Sequence, residues 1–470
     1  MSLRIAIIGG GVAGVNITRQ LISHHGSHDG WKIDIYDTEE KMGRGKPYMD
    51  DNEHLLLNIP TDEMRITDDG DFTDWLKARS LPVHDYNPRK HFGAYSLDLF
   101  RGLTASNEGV RPIFGEVTDI IYDAEEASYR VDTDTSSEKY DLVFLAMGQM
   151  GYADPYGLEG MEKFVHDPYP VKARLQDADG KIGILGTGLS AIDCVRYLLL
   201  ERGKDRVHLF SRSGDMPSVR GKSHQFEIRH FTEEALDALM EDDLIPLEAV
   251  VTLFRREMAA QNIEESLFYR HSGNTLEDLK YDIANSGQVG KLQYLIIALN
   301  PLFSRVFPYF SKKDKEIFME EIHPYIDKNH SPMPAEVAEQ LVEWADAGRI
   351  KIIDDISEVR SDGDFTVRTD DASYGIDWLI NATGPEKDIT KEGSPVIANM
   401  LDRMLIAPGS LGGILVDRRH RVISPRYGTL NGIYAIGHLT FDSDYLSNTV
   451  RILVENINRM VDGAMEDLDK

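Results

Sequence analysis

A single cysteine among 470 residues leaves nothing to form an intramolecular disulfide, and no Cys-x-x-Cys pair exists. Dithiol–disulfide exchange needs two thiols that react with each other, so that class of chemistry is excluded. Cys194 shares a predicted helix face with Ala191, Tyr197 and Leu198, the setting of a small core thiol. Metal-ligand spacing is also scarce. Of the 15 histidines, the one His-x-x-x-His spacing, His24 to His28, contains Gly26 in a polar stretch, and His-Glu-x-x-His is absent. No metal site is expected. Long apolar runs are missing too: segments such as Leu295-Ile296-Ile297-Ala298-Leu299 fall far short of the roughly 18 residues a membrane span needs. The first apolar strand begins at Leu3, which leaves no room for a signal peptide and predicts a cytoplasmic protein. Positive charge is in deficit, with 51 Lys and Arg against 79 Asp and Glu and a formal net charge of −28. Polyanionic partners, nucleic acid and anionic membrane alike, are therefore not expected. A hydrolytic triad, paired catalytic carboxylates and a phosphotransfer loop are likewise not found, and the sequence names no catalytic residue.

What is present is a glycine fingerprint for dinucleotide phosphate, and it occurs twice. The first copy is Gly9-Gly10-Gly11-Val12-Ala13-Gly14, the second Gly186-Thr187-Gly188-Leu189-Ser190-Ala191. Each follows a short apolar strand (Leu3 to Ile8; Ile182 to Leu185) and precedes helical apolar spacing (Ala13, Ile17, Leu21; Ala191, Val195, Leu199). The first glycine permits a tight turn, the second lets backbone N–H groups approach a pyrophosphate, and the third small residue lets helix and strand pack closely. The helix N-terminus then faces the phosphate charge.

The residues after each fingerprint differ in chemistry. The strand from Lys32 ends at Asp37, about 20 residues beyond its glycines, where a carboxylate accepts hydrogen bonds from a ribose diol. That suits FAD or NAD. The strand from Arg206 ends instead at Ser211-Arg212, with Arg220 and Lys222 following. A hydroxyl and a guanidinium suit a 2′-phosphate, hence NADPH, with NADH left open.

A weaker duplication lies beneath the fingerprints. A short strand containing Val117, a polar hairpin and the apolar run Tyr140 to Gly148 recur as Lys351 to Ile353, a second hairpin and Ile376 to Gly384. The fold class is therefore α/β: two Rossmann-like (βαβ, three-layer) dinucleotide-binding domains with β-meander insertions. A chain of this length suits two or three domains. The expected division is 1–170 with 385–470 as a discontinuous first domain and 171–384 as the second. The second repeat is longer, and its excess, about 215–334, has helical apolar spacing, with Pro334 opening a further helix. This insertion reads as a lid or substrate wall, or else as a packing elaboration or oligomer surface.

Two fingerprints joined to two closing motifs resemble the flavoproteins with two dinucleotide-binding domains, among them flavin-containing monooxygenases, N-hydroxylating monooxygenases and thioredoxin-reductase-like enzymes. Asn381-Ala382-Thr383-Gly384 resembles the motif that leads from the NAD(P) domain back to the FAD domain, and Ala146-Met147-Gly148 looks like a degenerate first copy. Bacterial FAD/NAD(P)-binding proteins are similar over nearly the whole chain, through Gly43-Arg44-Gly45-Lys46-Pro47-Tyr48, His54 to Pro60 with Met64, Phe72 to Leu76 and Pro88 to Tyr95. The resemblance implies that Gly45, Val117, Ala146, Gly148, Thr383, Gly384 and Gly437 lie at the cofactors. It also implies that Tyr48, His54, Asn58 and Met64 run beside the flavin ring. Many relatives carry an aspartate after the glycine of the closing turn; here His438 follows Gly437, which puts that contact in doubt. A helix near Ser443 to Met460 is expected to aim its N-terminal dipole at the cofactor.

Hydride transfer from NADPH to FAD, then transfer of electrons to oxygen or a small acceptor such as a quinone, is the activity this resemblance implies, with oxygenation of a nitrogen, sulfur or carbon centre as its monooxygenase form. Two other readings stay open: a non-catalytic or redox-sensing FAD-binding protein with a vestigial nicotinamide site, and a protein-interaction module. The small-molecule substrate is not identified by sequence, and homo-oligomerisation is left open.

Overall fold

The first strand, Arg4–Ile8, pairs in parallel with Lys32–Asp37 on one side and Leu142–Leu145 on the other. In the computed structural model, which describes residues 3–24, 30–67, 72–391, 393–446 and 449–468, this strand is central to a six-stranded sheet. The sheet extends to Val110–Phe114 at one edge, and through Gly428–Ala435 to the antiparallel Arg421–Ser424 at the other. Side chains alternate between its faces. Ile5 and Ile7 join Val15, Ile17 and Leu21 of the helix Val12–His24, and Ile457, Met460 and Val461 of the helix Val450–Leu468. Ala6 and Ile8 join Ile120, Tyr129 and Val131 on the other face. Those three belong to an antiparallel meander, Val117–Asp123, Ser128–Thr133 and Ser137–Tyr140. With both faces covered, the central strands Arg4–Ile8 and Leu142–Leu145 read as nearly unbroken apolar runs instead of alternating ones. The layers are helices, parallel sheet and meander.

Contacts divide the chain into two units, Met1–Gly151 with Pro385–Lys470, and Tyr152–Gly384. The sequence places residues 152–170 with the first unit; the structure places them with the second. Phe164–Val165 adds to the sheet beside Trp378–Asn381, and Asn381 Nδ2 donates to the carbonyls of Ala153 (2.8 Å) and His166 (3.1 Å). The sheet of the second unit is parallel throughout, in the order Ile350–Ile353, Val207–Phe210, Ile182–Leu185, Trp378–Asn381, Phe164–Val165. Its own meander is Ile356–Ser361, Phe365–Thr369 and Ser373–Ile376. Cys194 is fully buried on the helix Leu189–Arg196. His24 meets Asp462 Oδ1 at 2.7 Å, whereas His28 lies outside the described residues. Among the described residues no helix is long and apolar enough to cross a membrane.

The insertion is helical as expected, with Leu247–Ala260, Thr275–Ala284, Ser286–Val306 and His323–His330 as its principal helices, and Pro334 caps Ala335–Asp346. His330, 3% exposed, has no hydrogen-bond partner at Nε2 among the described residues. Burial lowers its imidazole pKa to about 4, against 6.5 ordinarily. The folded chain therefore binds this proton less readily than the unfolded chain, so stability from the neutral ring is present above pH 6.5 and lost as pH falls toward 4. The loss amounts to about 3 kcal/mol. Thermal midpoints of His330→Leu, measured from pH 7 to pH 4.5, should fall less steeply than those of the wild type; parallel curves would remove His330 as the cause.

Candidate functional site

The two glycine loops are built with the same hydrogen bonds. Gly9 N–H donates to Tyr36 O at 2.9 Å, and Gly186 N–H to Phe210 O at 2.7 Å. Behind them, Ala146 N–H donates to Ile8 O and Ala382 N–H to Leu185 O, both at 2.8 Å. The closing strand passes so near that a Cβ on Gly9 would lie 2.2 Å from Ala146 O, and one on Gly186 2.3 Å from Ala382 O. Both glycines are left-handed, with φ of +110° and +112°, a region that side chains rarely tolerate. The duplication seen in sequence thus extends to individual backbone atoms.

Each loop leads into a helix whose first internal bond comes late. Val15 N–H donates to Gly11 O (2.9 Å) and Ile192 N–H to Gly188 O (3.1 Å). Ahead of these, the N–H groups of Gly11, Val12, Ala13 and Gly14, and of Gly188, Leu189, Ser190 and Ala191, have no acceptor among the described residues. Four donors at a helix start, reinforced by its dipole, match the oxygens of a pyrophosphate. Gly188 is exposed, and a Cβ there would meet nothing within 4 Å, so the approach is clear.

The two units differ where the sequence says they should. Asp37 Oδ2 accepts the Gly10 N–H and Oδ1 the Thr38 N–H, each at 2.8 Å. Burial raises its pKa against those two donors. Each oxygen retains a further lone pair for a ribose hydroxyl. At the equivalent place Ser211 Oγ accepts the Gly214 N–H at 2.7 Å, leaving its own proton to donate. Arg212 is exposed, and its charge reaches Tyr156, whose hydroxyl is raised by burial and pulled back by the guanidinium. Arg220 is a correction. It is 6% exposed, its guanidinium lies 5.9 Å from the Tyr294 ring, and its N–H bonds Met333 O, so it belongs to the insertion and not to an open phosphate site. Lys222 is exposed, with its N–H on Ser286 O.

Around the first loop, Gly43 N–H donates to Gly10 O at 2.7 Å, and Gly45 packs on Gly11. Met64, 2% exposed, packs with Val12, Leu57, Phe72 and Phe92 in a core cluster, while Asn58 is half-buried. Val117 opens the meander within the core, and Ala146 is buried under the sheet. Gly148 has open space where a Cβ would stand. Thr383 is exposed and donates both N–H (3.2 Å) and hydroxyl (2.8 Å) to Asn381 Oδ1. Gly384 O accepts the Ala153 N–H at 3.1 Å.

Gly437 opens a single 3₁₀ turn, Gly437–Thr440. Solvent reaches His438 on that turn, and the protein around it shifts its pKa downward by desolvation. Two acids that the sequence did not single out follow, Asp442 buried and Asp444 partly so. Asp442 accepts the N–H and hydroxyl of Ser410 at 3.0 and 2.9 Å. Asp444 meets His420 Nε2 at 2.7 Å and accepts the Thr440 hydroxyl at 3.0 Å. Burial would raise Asp444, but the His420 and Thr440 contacts outweigh it and hold the carboxyl low. The helix expected from Ser443 begins instead at Val450; Thr440 and Asp444, joined by their side chains, lie in turns ahead of it.

Comparison with known proteins agrees with this geometry. Residues 6–150 match the family model described as FAD-NAD(P)-binding. No curated protein sequence matches the chain. Among solved structures, the ornithine N-hydroxylase of Kutzneria sp. 744, determined with reduced FAD, NADP+ and L-ornithine, superposes with TM-score 0.62 at 16% identity over 100% of both chains. The ornithine hydroxylase of Pseudomonas aeruginosa gives 0.61 at 13% identity over 99% of each. L-lysine 6-monooxygenase of Pseudomonas syringae gives 0.54 at 15% identity over 99% of each. The chain thus carries a FAD/NAD(P)-binding domain over residues 6–150, within the two-dinucleotide-domain fold of the flavoprotein monooxygenases.

Proposed function

We propose that this chain is a FAD-dependent NADPH oxidoreductase of the monooxygenase kind. The observation that carries the reading is the pair of glycine loops, each presenting at a helix start four N–H groups with no acceptor among the described residues. Gly9, Gly11, Val12, Ala13, Gly14 and Asp37 would hold FAD, and Gly186, Gly188, Leu189, Ser190, Ser211 and Arg212 would hold NADPH. Bound FAD supplies hydride acceptance and the passage of electrons to oxygen. The residues bind and orient: the helix starts neutralise pyrophosphate, Asp37 fixes one ribose, and Ser211 with Arg212 selects the 2′-phosphate. Desolvation favours the neutral form of His438, whose ring nitrogen can accept a proton.

The neighbours named for ornithine and lysine oxygenation favour a small amine as substrate. An amine is cationic at neutral pH, which suits a chain of formal net charge −28. A reaction fed by NADPH is in keeping with a cytoplasmic protein.

Anaerobic rapid mixing of the flavin-loaded protein with NADPH and with NADH tests the reading. Bleaching of the flavin band, faster with NADPH, is expected. Arg212→Ala should raise the KM for NADPH by about tenfold and leave NADH unaffected. Absence of bleaching with either nucleotide would overturn the oxidoreductase reading.

A further inference from the structure

Gly10 and Thr187 occupy the same place in the two loops, and only the second carries a side chain. Thr187 is 6% exposed, and its hydroxyl donates to the backbone carbonyl of Asp215. Asp215 belongs to a strap that leaves the strand Val207–Phe210 and enters the helical insertion. The Asp215 carboxylate faces His271 Nδ1 at 3.3 Å, and the next N–H, of Met216, donates to Thr275 Oγ1 at 3.2 Å, on the first turn of the helix Thr275–Ala284. Further along, Val219 N–H donates to Asp282 Oδ2 at 3.1 Å, and Ser218 gives both its N–H (3.0 Å) and its hydroxyl (2.8 Å) to Lys328 O. Gln293, fully buried on the helix Ser286–Val306, accepts the Gly221 N–H at 2.9 Å and donates to Val219 O at 2.8 Å.

Between Phe210 and the helix Glu233–Asp237 no strand or helix forms. A connection of about 20 residues without structure of its own is uncommon inside a folded unit and marks either function or disorder. Here buried side chains of the insertion satisfy the backbone of the strap, so it is fixed in place. Before it reaches the insertion, the strap is tied at Arg212 O to the Asp355 N–H (3.2 Å) and at Asp215 O to the Thr187 hydroxyl of the nucleotide loop.

We propose that Thr187 is a positioning residue that latches the second glycine loop to the helical insertion, so that the insertion sets the affinity of that loop for nicotinamide dinucleotide. This rests on the reading of residues 186–191 as a nucleotide loop. Without the hydroxyl, the Asp215 carbonyl loses its donor, and the loop that carries the N–H groups of Gly188 to Ala191 loses its tie to the insertion. Pyrophosphate recognition depends on the alignment of those groups.

The test uses the full FAD-loaded chain and titration calorimetry with NADP+. Thr187→Val keeps the shape and removes the donor; Thr187→Ser restores it. Thr187→Val should bind NADP+ about tenfold more weakly, with Thr187→Ser within about twofold of wild type. Thr275→Val, which cuts the strap at the insertion, should weaken binding in the same direction, and the double variant should fall short of the sum. FAD content and thermal midpoint should stay at wild-type values, which a merely structural role would lower. Unchanged NADP+ affinity in Thr187→Val, or equal weakening by valine and serine, overturns the latch alone. Wild-type protein that binds neither NADP+ nor NAD+ overturns the nucleotide reading and the latch with it.

Discussion

Gly186→Ala is expected to abolish flavin reduction by NADPH while leaving FAD bound. The added Cβ would stand 2.3 Å from Ala382 O, more than an ångström inside van der Waals contact, on a residue with φ of +112°. The obstruction is backbone on both sides, so no rotamer relieves it. Either the loop or the strand Trp378–Asn381 must shift, and a misplacement of about 1 Å at a positioning site costs on the order of a hundredfold in rate. The expected loss in kcat/KM for NADPH is therefore at least about hundredfold, at an unchanged ratio of FAD to protein. Gly9→Ala gives the converse, because the same collision with Ala146 O occurs at 2.2 Å in the other loop: protein purified without flavin. Circular dichroism of both variants separates a local effect from failure to fold. Wild-type reduction of Gly186→Ala would remove residues 186–191 from the nucleotide site.

The second large effect concerns stability. Asp34 is completely buried on the strand Lys32–Asp37 and is held by three donors at 2.8 Å: Arg111 through Nε and Nη2, and the Tyr140 hydroxyl. Tyr140 in turn meets the Tyr36 hydroxyl at 2.6 Å, and burial raises the pKa of both phenols. Asp34→Ala strands a guanidinium and a phenol together. Removing one member of such a buried network costs about 3–5 kcal/mol, and the half-exposed Arg111 side chain puts this case at the lower end. Tyr140→Phe, which removes one hydrogen bond, should cost about 1 kcal/mol. Urea unfolding followed by flavin release is the measurement; a change under about 1 kcal/mol for Asp34→Ala would show that water takes over the role of the carboxylate.

The parts legible in the sequence are those written in local periodicity. Ile5, Ala6, Ile7 and Ile8 announce a strand buried on both faces, Gly9 to Gly14 announce the turn and helix that follow, and the second copy repeats both signals. The helical insertion shows in the apolar spacing of segments such as Leu292, Leu295, Ile296 and Leu299, all buried in the fold. What stayed hidden depends on contacts distant in sequence. Phe164–Val165 is too short a strand to show a period, so its pairing with Trp378–Asn381, which fixes the unit boundary, had no signal. Nothing near Arg220 announces Tyr294, which removes it from the phosphate site. Ser410 and His420 likewise anchor Asp442 and Asp444 from far upstream, ahead of a last helix that begins at Val450. Asp37 stood out at its strand end in the sequence, but its bond to the Gly10 N–H did not.

The discontinuity of the first unit has a consequence for biosynthesis. Its helix Val12–His24 packs on Val450–Leu468, and its strand Leu142–Leu145 pairs with Gly428–Ala435, so the amino-terminal half of that core must wait on the ribosome for partners encoded beyond residue 385. At about 5–20 residues per second that delay is roughly 15–60 s, during which the continuous second unit emerges whole and free to fold. The second unit is therefore complete on the ribosome while the helix Val12–His24 and the strand Leu142–Leu145 still lack their partners, so the first unit closes its core only at the end of synthesis.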